Sequence, residues 1–129
     1  MKPSVLVLDE PCAGLDPHGR EEILKLIRRL HQESGATIVM VSHSMDDVAQ
    51  LAERVLVMDH GRLVMDGTPE EVFTRGDELR TMGLDVPQAV QLCEQLRLRG
   101  FDIPERIYRL EDIRDILVGI LAKGVHHAE

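Results

Sequence analysis

The chain has 129 residues, 43% of them hydrophobic and only 2% aromatic with no Trp: enough Leu, Ile, Val and Met for a core, too few rings for a base-stacking platform. Its 23 acidic and 15 basic residues give a formal charge of −8, the wrong sign for a surface that tracks a phosphate backbone, so no nucleic-acid partner is expected. No apolar run approaches the ~20 residues that span a bilayer.

Met1-Lys2-Pro3-Ser4 leads straight into a strand pattern without a signal peptide, which reads as cytoplasmic. Cys12 and Cys93 form no CxxC pair and read as free thiols of a reducing compartment. Ser4 to Asp9 is a short Val- and Leu-rich run, expected as a strand buried on both faces of a parallel sheet. Asp16 and Pro17 open a helix as N-cap and first helical residue, with Ile23, Leu26, Ile27 and Leu30 on one face and Ser34-Gly35 at its end. Thr37 to Ser42 repeats the buried-strand pattern, and Ser44 with Asp47 forms a capping box for a short helix through Ala52.

Arg54 to Met58 is a third strand. Asp59-His60-Gly61 turns tightly into a fourth, Arg62 to Asp66. The alternation of strands and helices predicts an α/β layer with right-handed crossovers. Thr68-Pro69-Glu70-Glu71 starts another helix. Beyond Gly76 only helices are expected: one capped by Asp85, carrying Val86, Val90 and Cys93 and stopped by Gly100, and a last one with Ile113, Ile116, Leu117, Ile120 and Leu121, ended by Gly124. A boundary near Thr74–Asp77 divides residues 1–75 from 76–129.

Ligands of open α/β sheets bind beyond the carboxyl ends of the strands. Asp9-Glu10 stands at one such end and Ser42-His43 at another. Adjacent carboxylates at a strand tip suit a division of labour, one holding a hard cation and the other handling a water proton. Taken alone, a strand ending in an acidic turn is common, and a histidine before a helix is ordinarily a capping or packing residue. His18, His31, His60, His126 and His127 show no metal-ligand spacing, and the last two read as a solvated tail.

The run LDEPCAGLDP, Leu8 to Pro17, resembles the ATP-binding subunits of ABC transporters. Val5 to Glu10 is similar to a Walker B motif, Ala13-Gly14-Leu15-Asp16 to a D-loop and Val41-Ser42-His43 to an H-loop. The resemblance implies the C-terminal part of a P-loop NTPase (RecA-like ABC) parallel sheet, followed by a small helical C-terminal extension. It implies ATP and Mg²⁺ as ligands, with Asp9 holding Mg²⁺ through water. It also implies that Glu10 activates the attacking water, that His43 hydrogen-bonds the γ-phosphate, and that Asp16 reaches across a head-to-tail dimer. Cys12 stands where the family usually has Thr, a small neutral departure.

Asp59-His60-Gly61-Arg62 and Gly67 to Phe73 resemble importer-type ABC ATPases, and Met82 to Ile103 resembles the energy-coupling-factor type, which drives uptake of vitamins and transition metals. That resemblance implies a second ATPase subunit (homo- or heterodimer), a transmembrane coupling subunit and peripheral attachment at the cytoplasmic face of the membrane. The 129 residues hold no G-x-x-x-x-G-K-[ST] loop and no LSGGQ-type signature. Met1 is therefore expected to be internal to a longer chain, and the 129 residues alone are expected to be inactive. Two other functions fit parts of the pattern: a soluble ABC ATPase acting on nucleic acid or the ribosome, which the acidic charge disfavours, and a non-catalytic dimerisation module.

Overall fold

The computed structural model describes residues 4–127, with side chains described through Lys123. The segment Met1-Lys2-Pro3 and the side chains of His126 and His127 lie outside the described residues. The chain forms two compact units, Met1–Leu51 and Ala52–Glu129.

The first unit runs β1 (Val5–Asp9), α1 (Pro17–Ser34), β2 (Thr37–Val41), α2 (Met45–Leu51). Parallel strands need a crossover, and the 18 residues of α1 supply it. The register pairs Val5 with Thr37 and Asp9 with Val41, which brings the two carboxyl ends level. At the start of α1, Asp16 Oδ1 accepts from the Gly19 N–H at 2.7 Å, and Pro17 follows where no N–H is needed. The helix stops at Gly35, whose φ of 68° closes the last turn through an N–H donated to the His31 carbonyl at 3.2 Å.

Burial departs from expectation here. Leu6, Leu8, Ile38 and Met40 are half-buried, whereas Val5, Val7, Val39 and Val41 are exposed, so β1 and β2 are covered on one face rather than both. Leu24 and Ile27 of α1 are buried; Leu26 and Leu30, expected on the same face, are exposed. The α2 cap is half a box: Ser44 Oγ accepts from the Asp47 N–H at 3.4 Å, but the Asp47 carboxylate turns to Arg20.

The second unit is β3 (Val55–Asp59), β4 (Arg62–Gly67), α3 (Pro69–Phe73), α4 (Gly76–Thr81), α5 (Gln88–Leu98) and α6 (Leu110–His127). His60 and Gly61 both have positive φ, 50° and 75°, the condition for the hairpin turn that matches strand twist. β3 pairs antiparallel with β4 in a sheet of its own, the hairpin expected from Asp59-His60-Gly61. Thr68 Oγ1 accepts from the Glu71 N–H at 3.2 Å and caps α3 as expected. Asp85 does not cap α5: its carboxylate accepts from the adjacent Val86 N–H at 2.8 Å, and Pro87 occupies the N-cap position. The last helix continues through Gly124 to His127, since a lone glycine weakens a helix without ending it.

The interior of this unit joins Val57 and Met65 of the hairpin, Val72 and Phe73 of α3, Leu79 of α4, and a cluster of Ala89, Cys93, Ile103 and Ile113 flanked by Leu96, Ile107, Ile116, Leu117 and Ile120. Leu121, expected on the buried stripe of α6, is exposed. Among the described residues no helix is long and apolar enough to cross a membrane.

Leu79 is fully buried and Leu98 is 81% exposed. Leu79→Ala is expected to cost about 2–5 kcal/mol by transfer and cavity terms. Leu98→Ala should change stability by under ~0.5 kcal/mol. Urea unfolding followed by circular dichroism checks both.

Candidate functional site

The level tips of β1 and β2 bring two short loops side by side. The Glu10 N–H donates to the Val41 carbonyl at 2.8 Å, carrying the ladder one residue beyond Asp9. Glu10 sits at φ 48°, a left-handed conformation that costs a residue with a Cβ roughly 1–2 kcal/mol. Its own carbonyl accepts from the Ala13 N–H at 3.1 Å, which turns the chain toward Cys12 and α1.

That turn aims the Glu10 carboxylate at the neighbouring loop. Oε1 accepts from the His43 backbone N–H at 3.0 Å and from the ring Nδ1–H at 2.5 Å. An ionised carboxylate only accepts, so the proton in the second contact belongs to the ring and Nε2 is the outward-facing nitrogen. The His43 side chain is 83% exposed and that of Glu10 31%. Both contacts fall on Oε1, so among the described residues Oε2 is the oxygen left for water. Glu10 and His43, 33 positions apart in the chain, are therefore in direct contact.

Asp9 precedes Glu10 on the strand and lies on the open face with Val5 and Val7. Asp16 is engaged locally as the α1 cap. Among the described residues no group of three or more His, Cys, Asp or Glu side chains forms a metal cage. A single exposed carboxylate fits a hard cation of the Mg²⁺ type, which keeps much of its water and takes further oxygens from a phosphate substrate. The residues present do not supply a glycine-rich amide cradle for the phosphates.

Arg20 and Asp47 were not legible as site residues. Asp47 is buried, and the Arg20 Nε–H donates to its Oδ1 at 2.5 Å, with Nη2 against the same oxygen. One signal was available. Arg20 stands in the opening stretch of a helix without any first-turn acid, where the dipole disfavours a cation unless a partner is near. The Cys12 thiol has its pKa pushed up first by burial and then by the charge of Asp47, with a lowering by Arg20 and a further raising by Glu10.

Residues 1–46 match the family model described as "AAA domain, putative AbiEii toxin, Type IV TA system". The energy-coupling factor transporter ATP-binding protein EcfA2 of Clostridium perfringens is 52% identical over 121 residues, covering 94% of this chain and 42% of that protein. The protein of the same name from Bacillus cereus is 42% identical over 129 residues, 99% of this chain and 44% of that protein. The chain is homologous to a part of these ATP-binding proteins. It spans roughly two fifths of the length of the curated relatives it matches, by the shares of 42% and 44%. The structure of cbiO1 from Clostridium perfringens, described as part of the ABC transporter complex cbiONQ, superposes with a TM-score of 0.52 at 44% identity, over 61% of this chain and 32% of that one. The α/β fold with its small parallel sheet thus corresponds to part of an ABC ATPase.

The thiolate is the nucleophile of a cysteine, so a raised pKa leaves less of it at pH ~8. Cys12 is expected to be alkylated by iodoacetamide more slowly than an unhindered thiol, with a rate still climbing above the ordinary thiol range. Glu10→Gln removes a raising charge and should speed the reaction; peptide mapping by mass spectrometry separates Cys12 from the buried Cys93.

Proposed function

We propose that the chain is a portion of the ATP-hydrolysing subunit of an energy-coupling-factor importer that takes up a vitamin or a transition metal ion. The contact between Glu10 and His43 at the tips of two parallel strands supports this reading most directly. In it, residues 1–75 belong to the nucleotide-binding domain and 76–129 form a helical extension. The partners are a second ATPase subunit and a transmembrane coupling subunit, met at the cytoplasmic face of the membrane.

Each residue has a task that its surroundings suit. The Glu10 carboxylate accepts a proton from water at Oε2 while His43 holds Oε1, which fixes the direction of that lone pair. His43 links this carboxylate to the phosphate through its outward ring edge. Asp9 holds Mg²⁺ through water, and the ion when bound supplies charge neutralisation on the phosphate oxygens. Asp16, already facing solvent at the start of α1, is available to a partner subunit. The phosphate cradle must come from residues outside these 129, so the isolated chain neither binds ATP tightly nor hydrolyses it.

A chimera tests the assignment. With this chain grafted in place of the matching segment of the Clostridium perfringens relative, magnesium-dependent ATP hydrolysis is expected. Glu10→Gln should lower kcat about 10²–10⁴-fold with ATP binding retained. A folded, ATP-binding chimera whose turnover is indifferent to Glu10→Gln would refute the role. For the isolated chain, calorimetric titration with Mg·ATP is expected to show no tight binding.

A further inference from the structure

The Glu10–His43 contact joins two tip loops, each shaped by its own short bonds: the Ala13 N–H on the Glu10 carbonyl at 3.1 Å and the Ser44 N–H on Ser42 Oγ at 3.0 Å. Glu10 is in a left-handed conformation, and such a conformation persists only when the surroundings over-determine it. His43 is largely exposed, so packing does not fix its ring. It enters α2, whose seven residues are too few to form a stable helix unaided. The ladder and the loop bonds set Glu10, but a helix as short as α2 needs a tie beyond its own loop to hold its place.

Side-chain ties run from α1 to α2. Arg28 donates to the Gln50 carbonyl at 3.3 Å at the exposed far end. At the near end Arg20 grips Asp47, whose side chain is 7% exposed. Asp47 is the buried charged residue of this unit among those described. Arg20 sits one turn after Asp16, its N–H donating to the Asp16 carbonyl at 2.9 Å; Asp47 sits one turn after His43, its N–H on Ser44 Oγ. The pair therefore spans the openings of the two helices that follow the two tip loops.

We propose that Arg20 and Asp47 are positioning residues that lock α1 to α2 and thereby set the Glu10–His43 contact. Asp47 is buried and Arg20 is about a third exposed, and such a pair is weak evidence for stability; the role assigned to it here is to set the distance between the two tip loops. The inference takes its functional meaning from the hydrolytic reading above, but its structural content stands apart from it.

Nuclear magnetic resonance of the ¹⁵N-labelled full chain without nucleotide tests it. In Asp47→Ala the His43 amide is expected to exchange about tenfold faster, the scale set by loss of a hydrogen bond to a charged group. The His43 Nδ1 resonance should move to its position in Glu10→Gln. The ladder amides of β1 and β2 should keep their protection, and Asp47→Glu should recover part of the His43 signal. Unchanged His43 signals in folded Asp47→Ala would overturn the proposal, as would a uniform loss of protection along both strands, the mark of a purely structural pair. Should Asp47→Ala not fold, Arg20→Lys, which keeps the charge and loses the Nε–H donor, is read in the same way; its failure to fold would also overturn the proposal. A null result here leaves the hydrolytic reading intact, whereas an inactive chimera with the His43 response present defeats that reading alone.

Discussion

The parallel ladder between β1 and β2 is the constraint on which the candidate site depends. A parallel register fixes which end of each strand lies beside which, and this one sets Asp9 opposite Val41. The next bond, from the Glu10 N–H to the Val41 carbonyl, extends the ladder into the loop and leaves Glu10 one residue past the regular strand. A shift by one residue would reverse the face that every side chain presents. It would carry Asp9 off the open face and separate the Glu10 carboxylate from His43.

Glu10 shows how a local cost is offset by the site around it. A left-handed glutamate is unfavourable by itself. Four hydrogen bonds meet on it: the ladder bond, the turn bond to Ala13 and the two from His43. Bonds to a charged acceptor contribute about 1.5–3 kcal/mol each when well formed, less at an exposed site. Even discounted, they are of the size needed to hold the backbone there. The left-handed turn in exchange redirects the side chain sideways, toward the adjacent loop, where a continued strand would send it across the sheet.

Much of this was legible in the sequence because it is local chemistry. Asp16-Pro17 and Gly35 mark the ends of α1, Thr68 starts α3, and Asp59-His60-Gly61 makes the hairpin, each through a residue whose own backbone or side chain does the work. The pairing of Glu10 with His43 was legible only through the order of motifs, since no spacing rule links residues 33 apart. What misled was burial. The runs Val5–Asp9 and Thr37–Val41 have the composition of strands covered on both faces, yet Val7 is 64% exposed. Composition records the environment a strand is suited to, and the described residues cover only one face of it.

Arg20 and Asp47 were missed for a related reason. Each has a sufficient local reading, a cation on a helix and a capping acid, and nothing in either neighbourhood demands the other. Only the fold joins them, 27 residues apart. The burial of Asp47 makes the difference between a solvated cap and an obligatory partner: a carboxylate taken out of water requires a counter-charge, so the position of α2 is coupled to that of α1. His43 precedes one of these helices and Glu10 the other. A side chain that touches neither of them can in this way govern whether they meet.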